Sequence, residues 1–451
     1  MLALLLLTAT GPTAGAARVD ITPPAGTPMA GYYAFRGADG THDPLYATAV
    51  VLERDGTRAA LVGLDLITLT AEVVADARKL VSEQAGIPPT HVMVWATHSH
   101  TGPVLADGKS RAGAFGGDHP LAVQFARGLP AKIATAVRQA DTSRVPAKLR
   151  RAVGREPDLA FNRRFHLTDG TVGWNPGKLN PKVVRPAGPT DDRVPVTLVE
   201  AADGASTLAC QVSFAMHLDT VGGTVFSADY PYQMGRCLRA SLGDAVVPQF
   251  AMGCSGDVNH LNVSSTAPQK GPTEAARIGT RLAAAVLRAI DRAEPAGGPI
   301  RASSAVVDLP AAGVSEADRR ASEPVIAAAV GGVKPAPKFL DQVKAFQVAD
   351  VAERAGKPFR AEVQVIAVGH DLAWVGLPGE IFSSLGSAVI AGSPFRQTVV
   401  VSLANGSVGY VPDRVAYPQG NYEVVSARVA AGSGELLVDE ALRQLRALVR
   451  P

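Results

Sequence analysis

Two imidazoles one residue apart, His98 and His100, lie in the segment Trp95-Ala96-Thr97-His98-Ser99-His100-Thr101-Gly102-Pro103, directly after the apolar run Val92-Met93-Val94. In extended backbone, residues i and i+2 point to the same side. Both rings can therefore address one centre, and neutral imidazole is a preferred zinc ligand. A polar loop with one packed histidine is the competing reading of any single His-x-His. Three further ligand-type side chains follow strand-like runs: His217 after Val212-Ser213-Phe214-Ala215-Met216, Glu380 after Trp374-Val375-Gly376-Leu377-Pro378-Gly379, and Tyr410 after Val399-Val400-Val401-Ser402-Leu403. In α/β proteins ligands bind at the carboxyl ends of strands, so side chains recurring there can converge on one pocket. Two histidines, a carboxylate and a phenolate make a shell suited to Zn2+, with room for water or a substrate oxygen. No pairwise spacing in this set is diagnostic alone. His217 can equally be a buried histidine in a turn, Glu380 a first-turn acid of a helix beginning near Ile381, and Tyr410 an aromatic packed under a loop.

The elements that must position these groups read as an α/β chain: mixed multi-stranded sheets flanked by helices, with the metal site at strand ends. Strand-like runs fall at Ala47–Leu52, Ala59–Leu64, His91–Ala96, Leu208–Met216, Val246–Met252, Glu362–Val368, Leu372–Leu377 and Thr398–Leu403. The clearest helix follows Pro272, with Thr273 as N-cap and Ile278, Leu282, Val286 and Ile290 on one face. A last helix carries Leu436, Leu437, Ala441, Leu442, Leu445 and Leu448. The Ala/Pro/Gly-rich stretch from Pro310 to Lys357 reads as an insertion, a lid or rim. With 451 residues, 47% hydrophobic and 19% charged, the chain can bury a large core. A formal charge of +3, without a basic block, argues against nucleic acid as a partner. No transmembrane segment is expected. The apolar start, Met1 to Leu7, followed by Ala14-Gly15-Ala16, reads as a secretory signal over residues 1–16 without a positive n-region; a first strand is the competing reading. It would place a catalytic domain over 17–451 outside the cytoplasm, secreted or periplasmic. Cys210, Cys237 and Cys254 match neither a disulfide framework nor CxxC zinc spacing.

Taken together the segments resemble the catalytic domain of the neutral (alkaline, non-lysosomal) ceramidases. The resemblance runs through Val19-Asp20-Ile21-Thr22-Pro23-Pro24, His42-Asp43-Pro44-Leu45-Tyr46-Ala47, the His98-x-His100 segment, Phe214-Ala215-Met216-His217, Gly256-Asp257-Val258 and Pro378-Gly379-Glu380-Ile381-Phe382, and reaches Tyr410 and Tyr422. It implies zinc ligands at His98, His217, Glu380 and Tyr410. It also implies that His100, Arg163 and Tyr422 hold the substrate carbonyl and the developing oxyanion, although Arg164 beside Arg163 has the same chemistry. The implied reaction is hydrolysis of an amide in a small-molecule or lipid substrate. Zinc lowers the pKa of bound water from about 16 to about 7, and each well-placed oxyanion donor contributes on the order of 3 kcal/mol.

Two departures from the family matter. Where it commonly reads Gly-Asp-Val-Ser-Pro-Asn, with the serine regarded as catalytic, this chain reads Gly256-Asp257-Val258-Asn259-His260-Leu261-Asn262. Asn259 cannot be a hydroxyl nucleophile. Catalysis then runs through metal-activated water with Asn259 as a donor, or His260 adds a general acid/base, or activity is lost. Cys254 is a further thiol nearby, better suited to packing. Asp257 fits either the support of a metal-bound histidine or a turn. Second, the carboxyl-terminal β domain of larger family members has no counterpart after the last helix, which leaves ceramide itself open as the substrate. The competing functions are a metallo-esterase or lactonase on the same site, and a lipid- or amide-binding protein without catalysis.

Overall fold

The computed structural model describes residues 11–105, 114–332 and 336–449. Its principal strands, in chain order, are β1 Thr13–Asp20, β2 Tyr46–Arg54, β3 Thr57–Leu64, β4 Val92–Ala96, β5 Val145–Arg155, β6 Arg193–Ala201, β7 Thr207–Phe214, β8 Val247–Met252, β9 Ile300–Leu309, β10 Phe359–Val368, β11 Leu372–Gly376 and β12 Gln397–Val401. The helices are α1 Ala71–Ala85, α2 Pro120–Thr142, α3 Tyr230–Leu242, α4 Pro272–Ile290, α5 Glu316–Val330, α6 Phe339–Ala352, α7 Ser383–Gly392, α8 Tyr422–Ser426 and α9 Ser433–Leu448.

The large sheet runs β8-β7-β6-β5-β1-β2-β3-β4, and the second sheet β9-β10-β11-β12. Three pairs, β3 with β4, β7 with β8 and β11 with β12, are parallel, and each has a crossover helix between its strands. Alternate residues of one strand enter different cores, because successive side chains of a strand point to opposite faces. Val92, Val94 and Ala96 of β4 pack toward the helices, while Met93 and Trp95 pack toward the second sheet. In β10 and β11, Val363, Val365, Ala373 and Val375 face the core that includes α7 and α9, while Ile366, Trp374 and Leu372 meet the large sheet. The layers are thus helices, sheet, sheet, helices, and both sheets are covered on both faces. That explains why these strands read as nearly continuous apolar runs. Trp95 Nε1 donates to Phe250 O at 2.8 Å and Gln249 Nε2 to Leu61 O at 3.0 Å, so β8 lies against β3 and β4 as the sheet curls. The curl brings the ends of β4 and β7 close together.

Several boundaries differ from the sequence reading. The cap of α4 is Gly271 without a side-chain bond, and Pro272 occupies the first turn; Thr273 lies inside the helix. Leu436 is exposed on α9, whereas Leu437, Ala441 and Leu445 are buried. Glu380 pairs in a short strand, Glu380–Ile381, and α7 starts only at Ser383, so Glu380 is not a helix acid. Ala14, Gly15 and Ala16 are built into β1, opposite Leu52, Val51 and Val50 of β2. At Gly15 a Cβ would lie 2.1 Å from Ala140 O, so α2 can cross this strand only over a glycine. The first ten residues lie outside the described ones. The Pro310 to Lys357 stretch connects β9 and β10, which pair along their whole length, and it contains α5 and α6. Helix α6 is packed through Val343, Phe346, Val348 and Val351. All three cysteines are free. Among the described residues no helix is long and apolar enough to cross a membrane.

Candidate metal centre

Local pairing brings the predicted ligands together. Ser99 forms an isolated parallel bridge with Leu218, which sets the His98-Ser99-His100 loop beside His217. Glu380 is the register partner of Tyr410 in a short parallel pair. Gly256 sits under this pair: it donates to Ile381 O at 2.8 Å, and a Cβ there would lie 2.4 Å from Glu380 O. His98 has φ 78, a left-handed conformation that a histidine adopts at a cost of about 1–3 kcal/mol, the kind of strain that concentrates at functional sites. The bond from its backbone N–H to Leu66 O, 2.8 Å, holds it there.

The ring nitrogens of His98, His100 and His217 that face one another all lie within 4.8 Å, a spacing that could hold a metal ion. The outward nitrogens settle which tautomer is present. His98 Nδ1 donates to Ile67 O at 2.7 Å, His217 Nδ1 to Ser255 O at 2.8 Å, and His100 Nδ1 to Gly31 O at 3.2 Å. A carbonyl accepts only, so the proton is on Nδ1 and each Nε2 carries a lone pair toward the centre. Carbonyl-anchored histidines of this kind typify metal ligation. Glu380 Oε2 lies 3.3 Å from His98 Nε2 and 3.2 Å from His217 Nε2, and Tyr410 Oη 3.5 Å from His217 Nε2. His98 and His100 place Nε2 against Nε2 at 3.3 Å. Nitrogen and oxygen ligand atoms converging at these distances fit a nitrogen- and oxygen-loving divalent ion. Burial, with His98 beside it, pushes His100 down to about 3. Burial and the nearby Arg163 push His217 down to about 4. Both rings are neutral at pH 7, the form that binds metal. His100, expected to face the substrate, belongs by position to the candidate ligand group as well.

Behind the centre lies a fully buried ionic network. Arg163 gives Nε to Glu423 at 2.7 Å and Nη2 to both Gly256 O at 2.7 Å and the Tyr410 hydroxyl at 2.9 Å. Arg164 shares the same carboxylate at 2.9 Å but turns away to Gly420 O and Gln419. Of the two arginines, Arg163 therefore addresses the centre. Tyr422 packs on Tyr410, ring centroids 5.4 Å apart, and on Trp174 at 4.6 Å; Phe339 of α6 stacks on Trp174 at 5.7 Å. The insertion thus supplies part of an aromatic rim. Glu423, Trp174 and Phe339 carry no sequence signal, since nothing in their spacing ties them to the histidines.

In the Gly256 to Asn262 segment, Asn259 and His260 are both engaged with neighbours outside the histidine group. Asn259 is buried and engaged elsewhere, accepting from Leu261 N at 3.0 Å and donating to Asn175 at 3.3 Å. His260 has a fully buried side chain whose Nδ1 lies 3.1 Å from Asp219 Oδ1, so it reaches the site only through Asp219. Asp257 accepts from Ser383 N at 2.8 Å and Asn162 Nδ2 at 2.7 Å, anchoring the start of α7 rather than a metal-bound histidine. Burial pushes the Cys254 thiol up to about 12, and Gly386 packs directly against it, which leaves it a packing residue.

No family model matches the chain, and no curated protein sequence matches it. Among solved structures it is similar to neutral ceramidase from Pseudomonas aeruginosa, with a TM-score of 0.76 and 20% identity over 98% of this chain and 75% of that one. A ceramidase structure complexed with C2 gives the same TM-score and identity over 97% of this chain. The chain therefore has the neutral ceramidase fold.

Proposed function

We propose that this protein is a metal-dependent amide hydrolase acting on an N-acyl, ceramide-like substrate. The observation that carries the reading is the convergence of three carbonyl-anchored histidines with Glu380 and Tyr410. His98, His217, Glu380 and Tyr410 would hold Zn2+, with His100 alongside. The ion, when bound, supplies Lewis-acid polarisation and water activation at neutral pH. The chain's own residues do the remainder. Arg163, fixed by Glu423, presents a guanidinium at the edge of the centre, and Tyr422 adds a hydroxyl; both are suited to a developing oxyanion. The Trp174, Phe339 and Tyr422 rim offers an apolar surface to the substrate and excludes water from one side. Support for an amide rather than an ester comes from the ceramidase fold. Export belongs to the same reading, and a leader would have to end before Thr13 for β1 to remain whole.

The test is elemental analysis of purified protein, wild type beside His98→Ala and Glu380→Ala, with N-acyl amide and activated-ester hydrolysis assayed on the same samples. The expected result is about one zinc per chain, lost in the variants together with amide cleavage. Ester turnover without amide cleavage would instead make this a metallo-esterase or lactonase. A wild type that neither holds nor recovers metal would leave a binding protein.

A further inference from the structure

We infer that Asp219 is a substrate-binding residue whose carboxylate, steered by His260, accepts a hydrogen bond from a hydroxyl or amine donor of the substrate beside the histidine centre. The identity of the substrate as an amide rests on the reading above.

Asp219 follows His217 by two residues, and the bond from His100 N to Leu218 O, 3.1 Å, sets it against His100. Its loop is rigid: Asp229 accepts from Val221 N at 2.9 Å and from Tyr230 N at 2.7 Å. Of the Asp219 and His260 pair, only Asp219 is open, with 23% of its side chain exposed against 0% for His260. Tyr32 stands edge-on to His100 at 6.3 Å, and its hydroxyl would lie 3.2 Å from a Cβ at Gly222 in the same loop as Asp219. The two side chains pair with each other at 3.1 Å through Asp219 Oδ1, which is itself buried, so the open part of Asp219 lies beyond that atom. Behind the pair, among the described residues, His260 Nε2 and Thr220 Oγ1 have no hydrogen-bond partner, places that water completes. The imidazole behind Asp219 fixes the carboxylate's direction, as an orienting partner does in catalytic dyads, with the roles exchanged. Asp219 is thus the contact and His260 the positioning residue.

The experiment uses the full-length, zinc-loaded protein and three matched N-acyl amides: one plain, one with a hydroxyl on the amine half, one with a hydroxyl on the acyl half. One hydroxylated amide should exceed the plain amide by about tenfold or more in kcat/KM, chiefly through KM, because a polar site left unfilled penalises the analogue lacking the group. Asp219→Asn should erase that preference, and His260→Gln should reduce it. Equal use of the three amides by wild type, or a preference that survives Asp219→Asn, would overturn the assignment. Should Asp219→Asn not fold, Asp219→Glu keeps the acceptor and moves it by one methylene; an unchanged ranking of the three amides overturns the assignment equally. Calorimetric binding of the same amides separates the two readings. An Asp219-dependent preference in binding without turnover keeps the subsite and removes hydrolysis. No preference in either binding or turnover removes the subsite.

Discussion

On the Tyr410 flank of the centre, the polar groups are tied to one another: Glu423 to Arg163 and Arg164, Arg163 to Gly256 O and to the Tyr410 hydroxyl. On the His100 flank, Asp219 pairs with the enclosed His260 at 3.1 Å and keeps 23% of its side chain exposed. Both flanks lie beside the histidine group, the first through Tyr410 at 3.5 Å from His217 and the second through the bond from His100 N to Leu218 O. A closed network in a low-dielectric interior fixes geometry, since each bond strengthens its neighbours and none can be moved without exposing a charge. An open one keeps bonding capacity for something that arrives. The Arg163–Glu423 network therefore reads as the frame of the centre, and the exposed Asp219 carboxylate on the His100 flank as bonding capacity held open.

The largest test of this contrast removes the shared centre. His217→Ala should release the metal and bring hydrolysis to background; elemental analysis with an activity assay checks it, and a metal-replete, active variant would break the comparison at its root. Next, Glu423→Gln strikes the closed flank. Removing one partner of a buried pair costs about 3–5 kcal/mol, so the thermal midpoint should fall and amide cleavage should drop with it. An unshifted midpoint would show that the network is not a frame.

A pH test probes the same frame from behind. Asp65 is half-buried, accepts from Tyr46 N at 2.9 Å and lies near Thr97, next to His98 in sequence; desolvation pushes its carboxyl up to about 7. A carboxyl raised in the folded state favours folding while it stays protonated. Its contribution is present below about pH 4 and is lost as pH rises through about 7, and it amounts to a few kcal/mol at most. Urea unfolding should thus show wild type losing stability relative to Asp65→Asn between about pH 4 and pH 7. A constant difference across that window would refute the raised carboxyl. The smallest effect belongs to the open rim. Phe339→Ala removes one stacked aromatic worth about 0.5–1.5 kcal/mol, so KM for a long-chain amide should rise several-fold with little change in metal content.

Sequence reasoning singled out His98, His217, Glu380 and Tyr410, which the fold brings together, because each is polar where an apolar run stops, and runs with two buried faces are easy to see. It also found β2, β3, β4, β7, β8, β10, β11 and β12 to within a few residues. It did not find the two-sheet stacking, because a fully buried strand gives no periodicity to say which face meets which layer. Thr273 suits a cap by residue type, whereas the cap is Gly271, two residues earlier, and Pro272 begins the helix. The acid/base alternative for His260 rests on residue type alone, a histidine beside a catalytic-looking segment. Only the packing shows it enclosed behind Asp219, whose own significance no local pattern reveals.

What the sequence determined by itself is chemistry and period: which residues can ligate, and which segments are strands with a polar stop. What the tertiary structure decided is partnership. The bridge between Ser99 and Leu218 and the pairing of Glu380 with Tyr410 join residues far apart in the chain, and the carbonyls at Ile67, Ser255 and Gly31 choose the tautomers. A backbone carbonyl is the same in every residue. Its part in a site is fixed by where the fold places it and by nothing written in the side chain it belongs to.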